Sequence, residues 1–97
     1  MTVYMVVEAK VKDREQYRQY LSRVPEILAR YGGRYLSRGG RVIPLSGGCE
    51  PERMILLEFP EEKKIYDWLE SAEYRAIAPL REAGAQTRAI ILEGGID

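Results

Sequence analysis

From Thr2 to Val11 the chain alternates. Val3, Met5, Val7, Ala9 and Val11 form one apolar face, while Tyr4, Val6, Glu8 and Lys10 form a second that begins apolar and ends charged. A period of two predicts a half-buried strand. The period then changes. Tyr17, Tyr20, Leu21, Val24, Ile27, Leu28 and Tyr31 recur at helical spacing, with Arg14, Arg18, Arg23, Glu26 and Arg30 on the opposite side. Asp13 followed by Gln16 supplies an N-cap, and Gly32 supplies the left-handed residue that ends a helix. Pro25 lies inside this pattern and cannot donate to the Leu21 carbonyl, so a kink in one helix is expected rather than two helices.

Arg34 to Leu45 reads as extended chain divided by Gly39-Gly40. The glycine pair fits a two-residue hairpin turn, and it fits a bulge in one long strand equally well. In the second case the next strand aligns mainly with Arg41 to Ser46, leaving Gly33 to Arg38 overhanging and open to a second chain. Gly47 to Glu52 is a turn-rich connector, and Arg53 to Phe59 is a strongly apolar strand. Pro60 suits the first turn of a helix carrying Ile65, Trp68 and Leu69. Ser71 caps a further short helix with Tyr74, Ile77 and Leu80, which weakens at Pro79 and ends at Gly84. Thr87 to Glu93 is a final strand, and Gly94-Gly95 begins a tail expected to fray.

Strand, helix, strand, strand, helix, strand is the split βαβ order. It predicts an α+β, ferredoxin-like βαββαβ fold with an antiparallel sheet and the helices on one face. The other face of such a sheet reads polar in a monomer. Here it does not, because Met54 and Leu56 oppose Ile55, Leu57 and Phe59, while Ala89 and Ile91 oppose Ile90 and Leu92. A second copy of the sheet is the economical cover, and a homodimer provides one.

Ninety-seven residues suit a single domain spanning residues 1–97. Fifteen basic residues balance fifteen acidic ones, so affinity built on phosphate neutralisation is not expected, and no nucleic-acid partner is. No apolar run approaches the ~20 residues of a membrane helix. The first ten residues lack the marks of a signal peptide. The lone Cys49 forms no internal disulfide, which points to a reduced, cytoplasmic setting. The chain has no histidine, which removes histidine triads, Cys–His pairs and histidine zinc sites within one chain. Neither a metal nor a cofactor is expected. The glycine pairs match neither a phosphate loop nor a dinucleotide fingerprint.

Several pieces are familiar in series: Tyr31-Gly32-Gly33-Arg34-Tyr35-Leu36, Arg38-Gly39-Gly40, Glu50-Pro51-Glu52-Arg53, Leu57-Glu58-Phe59-Pro60, and Trp68 with Ser71 and Glu73-Tyr74. In that order they resemble the domain-of-unknown-function 1330 family over nearly the whole chain. The resemblance implies the dimeric α/β-barrel superfamily, in which ferredoxin-like sheets pair, and it favours the bulged strand over the hairpin. It implies no activity. Proteins of the same fold include cofactor-independent monooxygenases, muconolactone isomerases, haem-dependent enzymes and ligand-binding modules, and fold alone does not choose among them. Cys49 stands where an aromatic residue is expected in many relatives.

Glu58 is the candidate catalytic group. It ends an apolar strand on the same phase as Met54 and Leu56, and antiparallel pairing with the first strand brings Tyr4 beside it. A desolvated carboxylate there is a candidate general acid or base; an ion pair with Arg34, Arg38 or Arg41 is the structural alternative. Arg34 and Arg38 share a strand face, and an arginine fork there is suited to a carboxylate or phosphate. Solvated edge charges are the commoner explanation. Trp68 and Tyr74 are candidates to line an apolar ligand site between helices and sheet, or else to fill the core. Tyr17, Tyr20 and Tyr31 are weighed in the same way. Cys49, beside Glu50 and Glu52, is disfavoured as a nucleophile. Two functions remain open. One is a homodimer that binds or transforms a small organic molecule without metal; the other is a non-catalytic dimerisation or regulatory module.

Overall fold

The computed structural model describes residues 1–96. Its elements are β1 (Val3–Val11), α1 (Arg14–Arg30), β2 (Arg34–Arg38), β3 (Arg53–Phe59), α2 (Glu62–Glu70), α3 (Ala72–Gly84) and β4 (Ala85–Glu93). The four strands form one sheet in the order β2-β3-β1-β4, every neighbouring pair antiparallel. This is the ferredoxin-like arrangement, with its second helix divided in two.

Local chemistry accounts for the helix ends. Asp13 Oδ1 accepts from the Gln16 amide at 3.2 Å, starting α1. At the other end Gly32 has φ +76°, its amide donates to the Ala29 carbonyl, and the Gly33 amide donates to the Leu28 carbonyl. Those two bonds define a Schellman cap, which needs the left-handed residue that glycine adopts without strain. Helix α1 runs through Pro25 as one element, with the proline on its solvent face. Pro60 falls two residues ahead of α2 rather than in its first turn. Ser71 Oγ accepts from the Tyr74 amide at 3.1 Å and separates α2 from α3.

Val3, Ala9, Ile55, Leu57 and Phe59 face the helices and are buried against Val24, Leu28, Ile65, Trp68 and Ile77. The opposite face carries Tyr4, Val6, Met54, Leu56, Ile90 and Leu92, with no helix over it. Ile90 is 64% exposed and Leu92 56%. The molecule measures 40 × 38 × 17 Å, a slab of one sheet and one helical layer.

The long glycine-split strand does not form. Strand β2 stops at Arg38, Gly39 turns the chain at φ +81°, and residues 39–52 belong to no strand. The expected pairing is also reversed, because Arg34 to Arg38 pair with β3 while Arg41 to Ser46 lie outside any strand. A bulge exists, but at Leu36, between Tyr35 opposite Leu57 and Ser37 opposite Leu56. The tail does not fray at Gly94, whose amide donates to the Thr2 carbonyl at 2.9 Å. Among the described residues no helix is long and apolar enough to cross a membrane.

Candidate functional site

The sheet separates the candidate residues into two groups. In the β1–β3 register Tyr4 lies opposite Glu58, as the alternation requires, on the face without helices. Glu58 Oε1 accepts from Arg34 Nε at 2.7 Å, the arginine side chain being largely exposed. The structural alternative for this carboxylate is therefore realised with Arg34. A second ion pair, Arg88 with Glu8 at 3.0 Å, lies on the same face, and Val6, Leu56 and Ile90 occupy the rows between the two pairs.

Arg34 and Arg38 do not form a fork. The extra residue at Leu36 shifts the phase of β2, so Arg34 sits opposite Glu58 on the open face and Arg38 opposite Ile55 on the helical face. There the Arg38 guanidinium lies 4.8 Å from the centre of the Tyr35 ring, a cation–π contact.

Trp68 and Tyr74 lie on the other side of the sheet, in the wall of a cavity of about 60 Å³ between sheet and helices. Tyr17 and Tyr20 from α1, Tyr35 from β2 and Arg81 from α3 complete the aromatic and polar part of that wall, backed by Met5, Val7, Ile55 and Leu57. Both aromatic candidates are core and lining at once, Trp68 being 2% exposed and Tyr74 3%. Their ring centres are 4.6 Å apart, and Phe59 packs on Trp68 at 5.6 Å. The Tyr20 and Tyr74 hydroxyls share a hydrogen bond of 2.8 Å, and Arg81 Nη1 donates to the Tyr74 hydroxyl at 2.9 Å.

Burial pushes the Tyr20 phenol far up, reinforced by its neighbour Tyr74. Burial also raises Tyr17, against the opposing pull of Arg53, and raises Tyr35, against that of Arg38. These phenols hold their protons at neutral pH and act as donors, not bases. Among the described residues no Asp, Glu, Lys or His lines the cavity, so these walls supply hydrogen bonds and positive charge but no general base. Among the described residues no three His, Cys, Asp or Glu side chains come together as metal ligands.

Sequence reasoning missed Arg81 and Tyr35 as lining residues. Arg81 follows Tyr74 by seven positions, two turns along the same helical face, and that spacing was a usable signal. Tyr35 turns toward the helices next to a bulge that nothing in the local sequence announces.

The fold has parallels of low sequence identity. A protein of unknown function from Rhodopseudomonas palustris superposes with a TM-score of 0.83 at 18% identity, over 99% of this chain and 84% of the other. SnoaB, a cofactor-independent oxygenase from Streptomyces nogalater, superposes at 0.72 with 10% identity, over 99% and 95%. A dimeric ferredoxin-like protein of unknown function from Jannaschia sp. CCS1 superposes at 0.74 with 10% identity, over 97% and 100%. Among curated proteins none matches the chain. The family model for a domain of unknown function, DUF1330, matches residues 2–95, and the chain belongs to that family.

Proposed function

We propose that this protein is a cytoplasmic homodimer, its sheets packed face to face, each subunit binding a small organic molecule in the aromatic cavity. The observation that carries the ligand reading is the wall itself, which brings together Trp68, whose buried indole N–H has no partner, and a tyrosine–tyrosine–arginine chain. Apolar cavities that serve only packing have no use for such groups. Glu58 and Arg34 belong to the dimer face in this reading, and Arg38 to the cavity rim. An exposed, unbridged Cys49 is compatible with a reducing compartment.

The modest volume favours the other reading, a dimerisation or regulatory module without a ligand. A thermal-shift screen against small organic metabolites separates the two. The single Trp68 reports on the site by fluorescence. A ligand that raises Tm and changes that fluorescence, and whose effect on Tm is lost in the cavity-filling variant Leu21→Trp, is the expected result. If no compound acts, or if Leu21→Trp leaves every hit unchanged, the cavity is packing space only.

The dimer reading rests on the apolar strip of Val6, Leu56, Ile90 and Leu92 with ion pairs at its edges, an apolar centre with a charged rim. Burying Ile90 and Leu92 against a second copy contributes about 3–6 kcal/mol, so a double Ile90→Asp, Leu92→Asp variant is expected to weaken association at least ~100-fold. Light scattering should find the parent dimeric at micromolar concentration and the variant monomeric, with circular dichroism unchanged. A monomeric parent, or a variant that stays dimeric, rejects the face.

A further inference from the structure

The hydrogen-bond arithmetic of the cavity wall selects a ligand chemistry. An indole N–H can only donate, and the Trp68 Nε1–H is buried without an acceptor. A lone buried donor of this kind costs about 1–3 kcal/mol. Next to it, Tyr20 and Tyr74 carry two phenolic protons between them. One proton makes their mutual bond, in either direction, and Arg81 already occupies a lone pair on the Tyr74 oxygen. One phenolic proton is therefore left over whichever way the bond points. Arg53, whose guanidinium lies 5.6 Å from the Tyr17 ring centre, has a second buried, unpartnered donor at Nε. The unmatched groups are donors, and among the described residues the one charged side chain in the wall is Arg81, whose guanidinium has the exposed Glu82 carboxylate 3.8 Å away, while no carboxylate lines the wall itself.

We propose that the cavity receives the head group of a short organic carboxylate, one of whose oxygens accepts from Trp68 Nε1 while Arg81 supplies the complementary charge. This assignment rests on the reading of the cavity as a ligand site and names the ligand class. The volume limits the size of such a ligand. About 60 Å³ is several times the ~10–15 Å³ that one water requires, which suits a carboxylate with a short chain rather than a ring system. A carboxylate can accept from Trp68 Nε1 and from the spare phenolic proton in charge-assisted bonds, which an amine cannot do and a neutral amide does less strongly.

The chain has one tryptophan, so ¹⁵N-labelled protein shows a single indole cross-peak. Butyrate, butyramide and butylammonium, matched in length, are titrated into it at constant ionic strength. Butyrate is expected to move the indole proton downfield with saturation, at least ~10-fold tighter than butylammonium and with butyramide between them. In Arg81→Gln, whose apo spectrum reports whether the fold is kept, butyrate should lose about 10-fold in affinity while butyramide changes little. Equal binding of butylammonium, an unmoved indole peak at saturating butyrate, or no butyrate binding overturns the assignment. If a metabolite hit is abolished by Leu21→Trp while butyrate leaves the indole unmoved, the site survives and only the carboxylate chemistry falls. If neither is seen, both readings fall together.

Discussion

Replacing Phe59 with alanine is expected to destabilise the protein by about 3–5 kcal/mol, the largest loss of any single side chain considered. Phe59 is wholly buried, lies opposite Val3 at the end of β3, and packs its ring on Trp68. Truncation removes the ring's transfer free energy and leaves a hole bounded by strand backbone on one side and the α2 indole on the other. Neither can close in without breaking register or moving Trp68, so the cavity cost remains. A domain of this size has roughly 5–15 kcal/mol in total. Urea unfolding at matched protein concentration should show a much lower midpoint with little change in slope. Phe59→Leu, which keeps most of the volume, should lose less than half as much. A loss below about 1 kcal/mol for alanine would place the core elsewhere.

The second large effect concerns Gly84, and its sign is the informative part. Helical propensity favours alanine over glycine by about 1 kcal/mol, so an unconstrained Gly84→Ala change would stabilise α3. The structure requires the opposite. A Cβ at Gly84 would stand 2.6 Å from the Tyr17 amide nitrogen and 2.8 Å from its Cα. The obstacle is α1 backbone, which cannot rotate aside as a side chain can. The Gly84 carbonyl also accepts from the Lys12 and Asp13 amides at 2.8 and 3.1 Å, holding the two helix ends together. Overpacking at such a contact typically costs about 1–3 kcal/mol, and a net loss of that order is expected by chemical denaturation. Because Tyr17 lines the cavity, the same variant should alter Trp68 fluorescence. A gain in stability would mean that α1 and α3 do not approach this closely.

Features controlled by nearest neighbours along the chain were legible. The caps at Asp13, Gly32 and Ser71 follow from side chains or glycine geometry acting over three or four residues, and each forms. The pairing of Tyr4 with Glu58 followed from period-two alternation once the strand order was assumed. The candidate site was legible only in part. Trp68 and Tyr74 were named for the cavity that they line, yet Glu58 and Arg34 face away from it, across the sheet. Arg38 joined the cavity side because one residue, Leu36, is accommodated as a bulge. A Tyr-Leu-Ser sequence carries no mark of that.

By itself, then, the sequence determined that the chain is an α+β, ferredoxin-like domain of the DUF1330 family, with helices on one face of its sheet and an apolar strip on the other. Periodicity and caps are local, and both faces of β3 and β4 are written in their own residues. Tertiary structure decided where β2 ends, which arginine meets Glu58, and which polar groups surround the cavity. Those outcomes depend on register and on hydrogen bonds between residues up to 54 positions apart, such as Tyr20 and Tyr74. No local pattern encodes them, because the free energy that selects them arises only when the helices settle on the sheet.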